Sequence, residues 1–181
     1  LEAYTQTYVR EEVMQEGLTR NIGAFSRFLE TASFSQCGVL NISDVAQDAS
    51  INRKVVVNYF QIVEDLLIAA KLPIFSKRAK RKLIAHSKFY FFDVGVYRAI
   101  RPQGPYDSNE EAEGAAYETL VYQEIQAINH YFNLQYQLYF WRTVDQIEVD
   151  FVLYGPKGII GIEVKRSDSI NSKDLKGLRT F

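Results

Sequence analysis

With 181 residues, 47% of them hydrophobic and 14% aromatic, the chain has material for one large or two small domains. Its single cysteine, Cys37, excludes an internal disulfide framework and makes a reducing cytoplasm the expected setting, and with two histidines it cannot build a dedicated cysteine/histidine zinc site. The net charge of −1 excludes little, and no apolar run approaches the ~20 residues needed to span a bilayer.

The distribution of charge says more than its total. Residues 1–100 carry 13 basic and 10 acidic side chains, whereas residues 101–181 carry 8 and 12. The chain starts at Leu1 without a secretory signal, and so reads as a piece of a longer protein. Residues 2–17 contain few breakers and predict a helix ending at Gly17. A second helix, with Asn21 as N-cap, places Phe25, Phe28 and Leu29 on one face and is expected to end near Gly38.

Residues 39–70 predict two helices around a tight turn. Ser43 would cap a short first helix; Asn52 would cap a longer second one with Val56, Tyr59, Phe60 and Val63 as its core face. This is a helix-turn-helix shape. Two β-rich runs follow in KLPIFSKRAKRKLIAHSKFYFFD around a basic tip. No Asp or Glu occurs between Leu66 and Phe92, while Lys71, Lys77, Arg78, Lys80, Arg81, Lys82 and Lys88 do.

A helix-turn-helix followed by such a hairpin describes a winged helix over residues 37–100, after a helical lead-in over 1–36. In that fold the second helix, with Arg53 and Lys54 near its start, enters a DNA major groove. Lys77, Arg78, Lys80, Arg81 and Lys82 would form a wing placed for phosphates. The bland alternatives are a packing module and a solvated, solubilising loop. Phe89, Tyr90, Phe91 and Phe92 read as core, and His86 and His130 as structural or surface residues.

Residues 101–113 cluster breakers and acids and read as a linker. Beyond them a helix with Leu120, Val121, Ile125 and Ile128 in its periodic pattern leads into the strand QYQLYFWR. Next comes WRTVDQIEVDFVLYGPKGIIGIEVKR, two alternating segments around Gly155-Pro156-Lys157-Gly158, the pattern of a β-hairpin with one buried face. Ile147, Val149, Phe151 and Leu153 share one face of the first segment, with Glu148 and Asp150 opposite. In the second, Glu163 and Lys165 face away from Ile162 and Val164.

A registered hairpin therefore brings Asp150, Glu163 and Lys165 onto one surface. Two carboxylates on adjacent strands suit a hard divalent cation such as Mg2+. Such an ion lowers the pKa of a bound water and neutralises charge on a phosphodiester, while a lysine orients the water. The competing reading of Glu118, Asp150, Glu163 and Lys165 is a surface salt-bridge cluster. Glu148 and Asp145 read as bystanders or outer neighbours of the site.

The spacing Asp150, twelve intervening residues, Glu163-Val164-Lys165 resembles the PD-(D/E)XK nuclease superfamily. Val149 stands where the superfamily's name has proline, and Glu118 in GAAYETLVYQEI stands where many members carry a helical glutamate. The combination of GAAYETLVYQEI, YFWR, IEVDFVL and IEVKRS is similar to the C-terminal half of many predicted prokaryotic AAA+ ATPases. These place a winged-helix-like region just before it, and KFYFFDVGVYRAI resembles its exit, so the resemblance covers nearly the whole chain.

It implies an α+β or α/β chain, a winged-helix domain followed by a restriction-endonuclease-like αβββ(α) core over 114–181 that lacks its final strand. It further implies Glu118, Asp150, Glu163 and Lys165 as the catalytic set, Asp150, Glu163 and Val164 as metal ligands, Mg2+ as cofactor and DNA as partner. No GxxxxGK[ST] loop occurs, so ATP is expected to bind only an N-terminal ATPase domain upstream of Leu1, itself a partner of these residues. Assembly into a homo-oligomer fits ATPases of this type. Two functions follow: a Mg2+-dependent phosphodiesterase, or a non-catalytic adaptor coupling an ATPase to a nucleic-acid or protein partner.

Overall fold

The computed structural model describes Glu11 and residues 21–76, 87–104 and 108–181. Among these residues the chain is a mixed α+β fold of six helices and two small antiparallel sheets. The stretch read as a first helix, 2–17, lies outside the described residues except for Glu11, and the basic tip at 77–82 and His86 lie outside them altogether.

Helix α1 (Ile22–Ser33) starts where expected, because the Asn21 side chain accepts the Ala24 N–H at 2.9 Å. It buries Phe25, Phe28 and Leu29 but stops five residues short of Gly38. The reason lies at Cys37, which adopts a left-handed φ of 58° and donates its N–H to the Phe89 carbonyl at 2.8 Å. Pairing with a strand takes the place of further helix.

Helix α2 (Ile42–Asp48) is capped by Asn41 rather than by Ser43. The Asn41 side chain accepts the N–H groups of Ser43 and Asp44 at 3.0 and 3.5 Å. Asn52 caps α3 (Arg53–Asp65) through the Lys54 N–H at 2.9 Å, and Val56, Tyr59, Phe60 and Val63 are buried as their spacing predicts. Edge-to-face contacts at 4.8 Å between Phe28 and Phe60, and at 5.4 Å between Phe60 and Phe89, knit this first core together.

Strands β1 (Ala69–Leu72) and β2 (Lys88–Phe91) pair antiparallel from Ala69 opposite Phe91 to Leu72 opposite Lys88. All four residues of β2 are buried. Alternation sends Phe89 and Phe91 into the first core and Tyr90 into a second one, built with Leu72, Tyr122, Phe140, Phe151 and Leu153. Phe92 is half-exposed.

After α4 (Val94–Ile100), capped by Asp93, α5 (Asn109–Tyr131) begins inside the stretch that reads as a linker. Ser108 caps it by accepting the Glu111 N–H at 3.3 Å, and Glu110 and Glu111 in its first turn favour the positive end of the helix dipole. Acids that resemble a linker in sequence thus start a helix. Its buried face is Ala116, Thr119 and Tyr122, whereas Leu120 and Ile128 of the periodic pattern are half-exposed. At Ala115 and Thr119 the side chains are small, and Cys37 and Gln36 approach closely enough to hydrogen-bond them.

Strands β3 (Gln137–Arg142), β4 (Glu148–Gly155) and β5 (Gly158–Ile162) form the second sheet in that order. The hairpin closes at Gly155 opposite Gly158, around Pro156 and Lys157, as the alternation predicts. The single buried face does not follow: Val149 to Leu153 are all buried, because α6 (Lys176–Thr180) lies against β4. The approach is close, since a Cβ on Gly177 would stand 1.9 Å from the Glu148 carbonyl oxygen. Strand β5 ends at Ile162, so Glu163, Val164 and Lys165 follow the strand rather than belong to it.

The two sheets are tied together. The Phe75 N–H donates to Phe140 O at 2.6 Å, the Phe140 N–H to Pro73 O at 3.0 Å, and Tyr90 stacks on Tyr122 at 4.5 Å. Residues on both sides of 101–113 therefore share the second core. No helix among the described residues is long and apolar enough to cross a membrane.

Candidate functional site

At the junction of β2, α5 and β4 lies a buried cluster of ionisable groups. The Lys88 side chain is 2% exposed, and its Nζ stands 2.6 Å from Glu148 Oε1, 3.0 Å from Glu118 Oε1 and 3.4 Å from Asp150 Oδ1. An ammonium has three N–H donors, and three carboxylates surround it. Two residues along β2, on the same face, the Tyr90 hydroxyl donates to Glu118 Oε1 at 2.7 Å.

Of the predicted set, Glu118 and Asp150 meet in this cluster. Glu163 and Lys165 pair with each other at 2.6 Å at its edge, and among the described residues the exposed Lys165 forms no ion pair with Glu118 or Asp150. Val164 joins the two groups through its backbone N–H, which donates to Asp150 Oδ2 at 2.8 Å. Glu148, read as a bystander, instead makes the shortest contact to Lys88 and also meets Arg142 at 3.5 Å. Asp145 is exposed.

Lys88 itself is the residue that sequence reasoning missed. It merges there with the basic run that begins at Lys71, and its signal is only the alternation of Lys88 and Tyr90 with Phe89 and Phe91. Arg53 and Lys54 lie exposed in the first turn of α3, where Arg53 Nε donates to Ser43 Oγ at 3.3 Å. Lys77, Arg78, Lys80, Arg81 and Lys82 lie outside the described residues.

The electrostatics follow from crowding charges away from water. Burial pulls the Lys88 ammonium down, yet Glu118, Asp150 and Glu148 outweigh it and hold Lys88 above the ordinary lysine range. Burial pushes the Glu118 carboxyl up against the opposing pull of Lys88. Burial, then the Glu118 charge, raises the Tyr90 phenol. Glu163 is raised by burial despite its bond to Lys165.

These residues do not fit a Mg2+ site as they stand. Among the described residues no group of three or more His, Cys, Asp or Glu side chains is placed to hold an ion. Both oxygens of Asp150, both of Glu148 and Oε1 of Glu118 are engaged by the Lys88 ammonium, the Tyr90 hydroxyl, the Val164 N–H and Arg142. Among the described residues, Glu163 Oε2 is buried with no hydrogen-bond partner.

Comparison with known proteins divides the chain at almost the same place as its acidic linker-like stretch. Residues 1–107 match the domain of unknown function DUF8612, more than half of the chain. The chain belongs to the DUF8612 family. Residues 113–181 match a second domain of unknown function, DUF4143. No curated protein and no solved structure matches the chain. Lys88 lies in the DUF8612 segment, whereas Glu118, Glu148 and Asp150 lie in the DUF4143 segment, so the ionic cluster joins the two.

Proposed function

We propose that the chain is a non-catalytic adaptor from the C-terminal region of an AAA+ family ATPase, in which a winged-helix-like half holds DNA and a degenerate nuclease-like half serves as scaffold. The observation that carries this reading is the Lys88 ammonium, which stands among Glu118, Glu148 and Asp150 where a hydrolytic site would need a metal ion. Exposed Arg53 and Lys54, at the positive end of α3, supply cations for phosphate contact. ATP would be handled by another part of the parent protein, because no phosphate-binding loop occurs in these residues.

One observation favours the alternative of a Mg2+-dependent phosphodiesterase. Glu163 Oε2, beside the segment that bonds Asp150, is a buried oxygen without a donor among the described residues, and a cation is one way to satisfy it. Incubation of the protein with plasmid, linear and branched DNA in Mg2+ or Mn2+ separates the readings. Binding without cleavage is the expected result. Cleavage abolished by Asp150→Ala and by Lys165→Ala, in variants shown to be folded, overturns the adaptor reading.

A further inference from the structure

Strand β2 is shared by both halves of the molecule, and its two faces do different work. Phe89 and Phe91 fill the first core beside Phe60, while Lys88 and Tyr90 point into the DUF4143 half and converge on one atom, Glu118 Oε1. A lysine stem could carry its charge to water, yet Lys88 stays 2% exposed with its ammonium 5.8 Å from the Phe140 ring.

We infer that Lys88 is a resident counter-cation that fastens β2 to α5 and β4, so that the DUF8612 and DUF4143 halves fold and unfold as one unit. The inference rests on the reading that this cluster is not a hydrolytic metal centre, and it adds what the cluster does instead. Three carboxylates from two elements of one half repel one another unless a cation stands between them. Here that cation is covalently part of the other half, so separating the halves leaves Glu118 and Asp150 without their cation, Glu148 with Arg142 alone, and one positive charge without its carboxylates on the other side. The neighbouring ties, Gln36 Nε2 to Thr119 Oγ1 at 2.7 Å and Cys37 Sγ to Ala115 O at 3.3 Å, lie on the same seam. They are neutral hydrogen bonds, each weaker than a bond between charged groups.

The single tryptophan, Trp141 on β3, lies in the DUF4143 half, and far-UV circular dichroism reports on helices from both halves. In the wild-type chain the two signals are expected to melt together, with a midpoint indifferent to millimolar Mn2+. Lys88→Met, which keeps the stem and removes the charge, is expected to lower the midpoint by on the order of 10 °C and to separate the two traces. Adding Glu118→Gln, Glu148→Gln and Asp150→Asn to Lys88→Met removes the stranded charges, and is expected to restore most of the loss and the coincidence of the traces.

Three results overturn the inference. They are a Lys88→Met variant as stable and cooperative as wild type, a wild-type midpoint raised by Mn2+, and a neutralised quadruple variant no better than Lys88→Met. DNA cleavage by a wild-type chain whose midpoint ignores Mn2+ would count against the adaptor reading alone, so the two failures are distinguishable.

Discussion

The carboxylate of Asp150 reaches in two directions at once: Oδ2 accepts the Val164 backbone N–H at 2.8 Å, and Oδ1 faces Lys88 at 3.4 Å. This one side chain therefore fixes both the segment leaving β5 and the seam between the halves. Asp150→Ala leaves a buried ammonium short of a partner and a backbone N–H without an acceptor. The expected cost is about 3 kcal/mol or more, read from urea denaturation. A loss below about 1 kcal/mol would contradict the assignment. Loss of any activity in this variant carries meaning only beside that measurement.

Thr119 is fully buried on α5; its hydroxyl accepts from Gln36 Nε2 at 2.7 Å and donates to Ala115 O at 2.6 Å. Gln36 in turn accepts the Phe91 N–H at 2.8 Å, so the pair links α5 to the first sheet. Thr119→Val keeps the volume and strands the Gln36 amide. A destabilisation of about 1–3 kcal/mol is expected. Thr119→Ser keeps the hydroxyl and should lose less of the hydrogen-bond contribution; a loss in Thr119→Ser with none in Thr119→Val would show that the methyl group, not the hydroxyl, matters.

Stability should fall on the alkaline side. Burial first, and the Glu118 charge next, hold the Cys37 thiol and the Tyr90 phenol above their ordinary ranges, while Lys88 is held up by its carboxylates against its own burial. In each case the folded chain keeps a proton that the unfolded chain releases. Their contribution is thus intact below the ordinary thiol pKa of about 8.5 and declines as pH rises above it, first through Cys37 and then through Tyr90 and Lys88. Urea midpoints compared between about pH 8 and about pH 10.5 check the sign. A flat or rising profile would refute it, as would rapid alkylation of Cys37 in the native chain at pH 8.

If the DUF8612 half holds DNA as proposed, Arg53 and Lys54 contact phosphate rather than bases. Double replacement by alanine should weaken binding evenly across sequences and reduce the slope of log affinity against log salt by about 2. Fluorescence anisotropy over a salt series measures this. An unchanged slope removes α3 from the interface and leaves the basic segment at 77–82 to be tested by the same means.

Local chemistry was enough for much of the secondary structure. Asn21 and Asn52 announce their helices because a short polar side chain can satisfy the first free N–H groups. The core face of α3 and the turn between β4 and β5 follow from periods of 3.6 and 2. Ser43 lost its expected role to Asn41, two residues upstream, because either residue type can cap and only the backbone path chooses between them. The second face of β4 and the buried face of α5 were illegible, since each depends on what packs from a distance, Gly177 in one case and Cys37 and Gln36 in the other.

The candidate site divides along the same line. Alternation along a strand puts Glu148 and Asp150 on one side wherever that strand goes, and Glu163 and Lys165 are near neighbours by covalent geometry alone. The order of residues thus decided that several acids would lie close together. It could not decide their counter-ion, because Lys88 stands 30 residues before Glu118 and 62 before Asp150 in the chain and meets them only after β2 is inserted between the two cores. Whether a buried group of carboxylates holds a metal ion or an ammonium depends on which cation the fold brings within about 3 Å, and distance in space is settled only when the whole chain has packed.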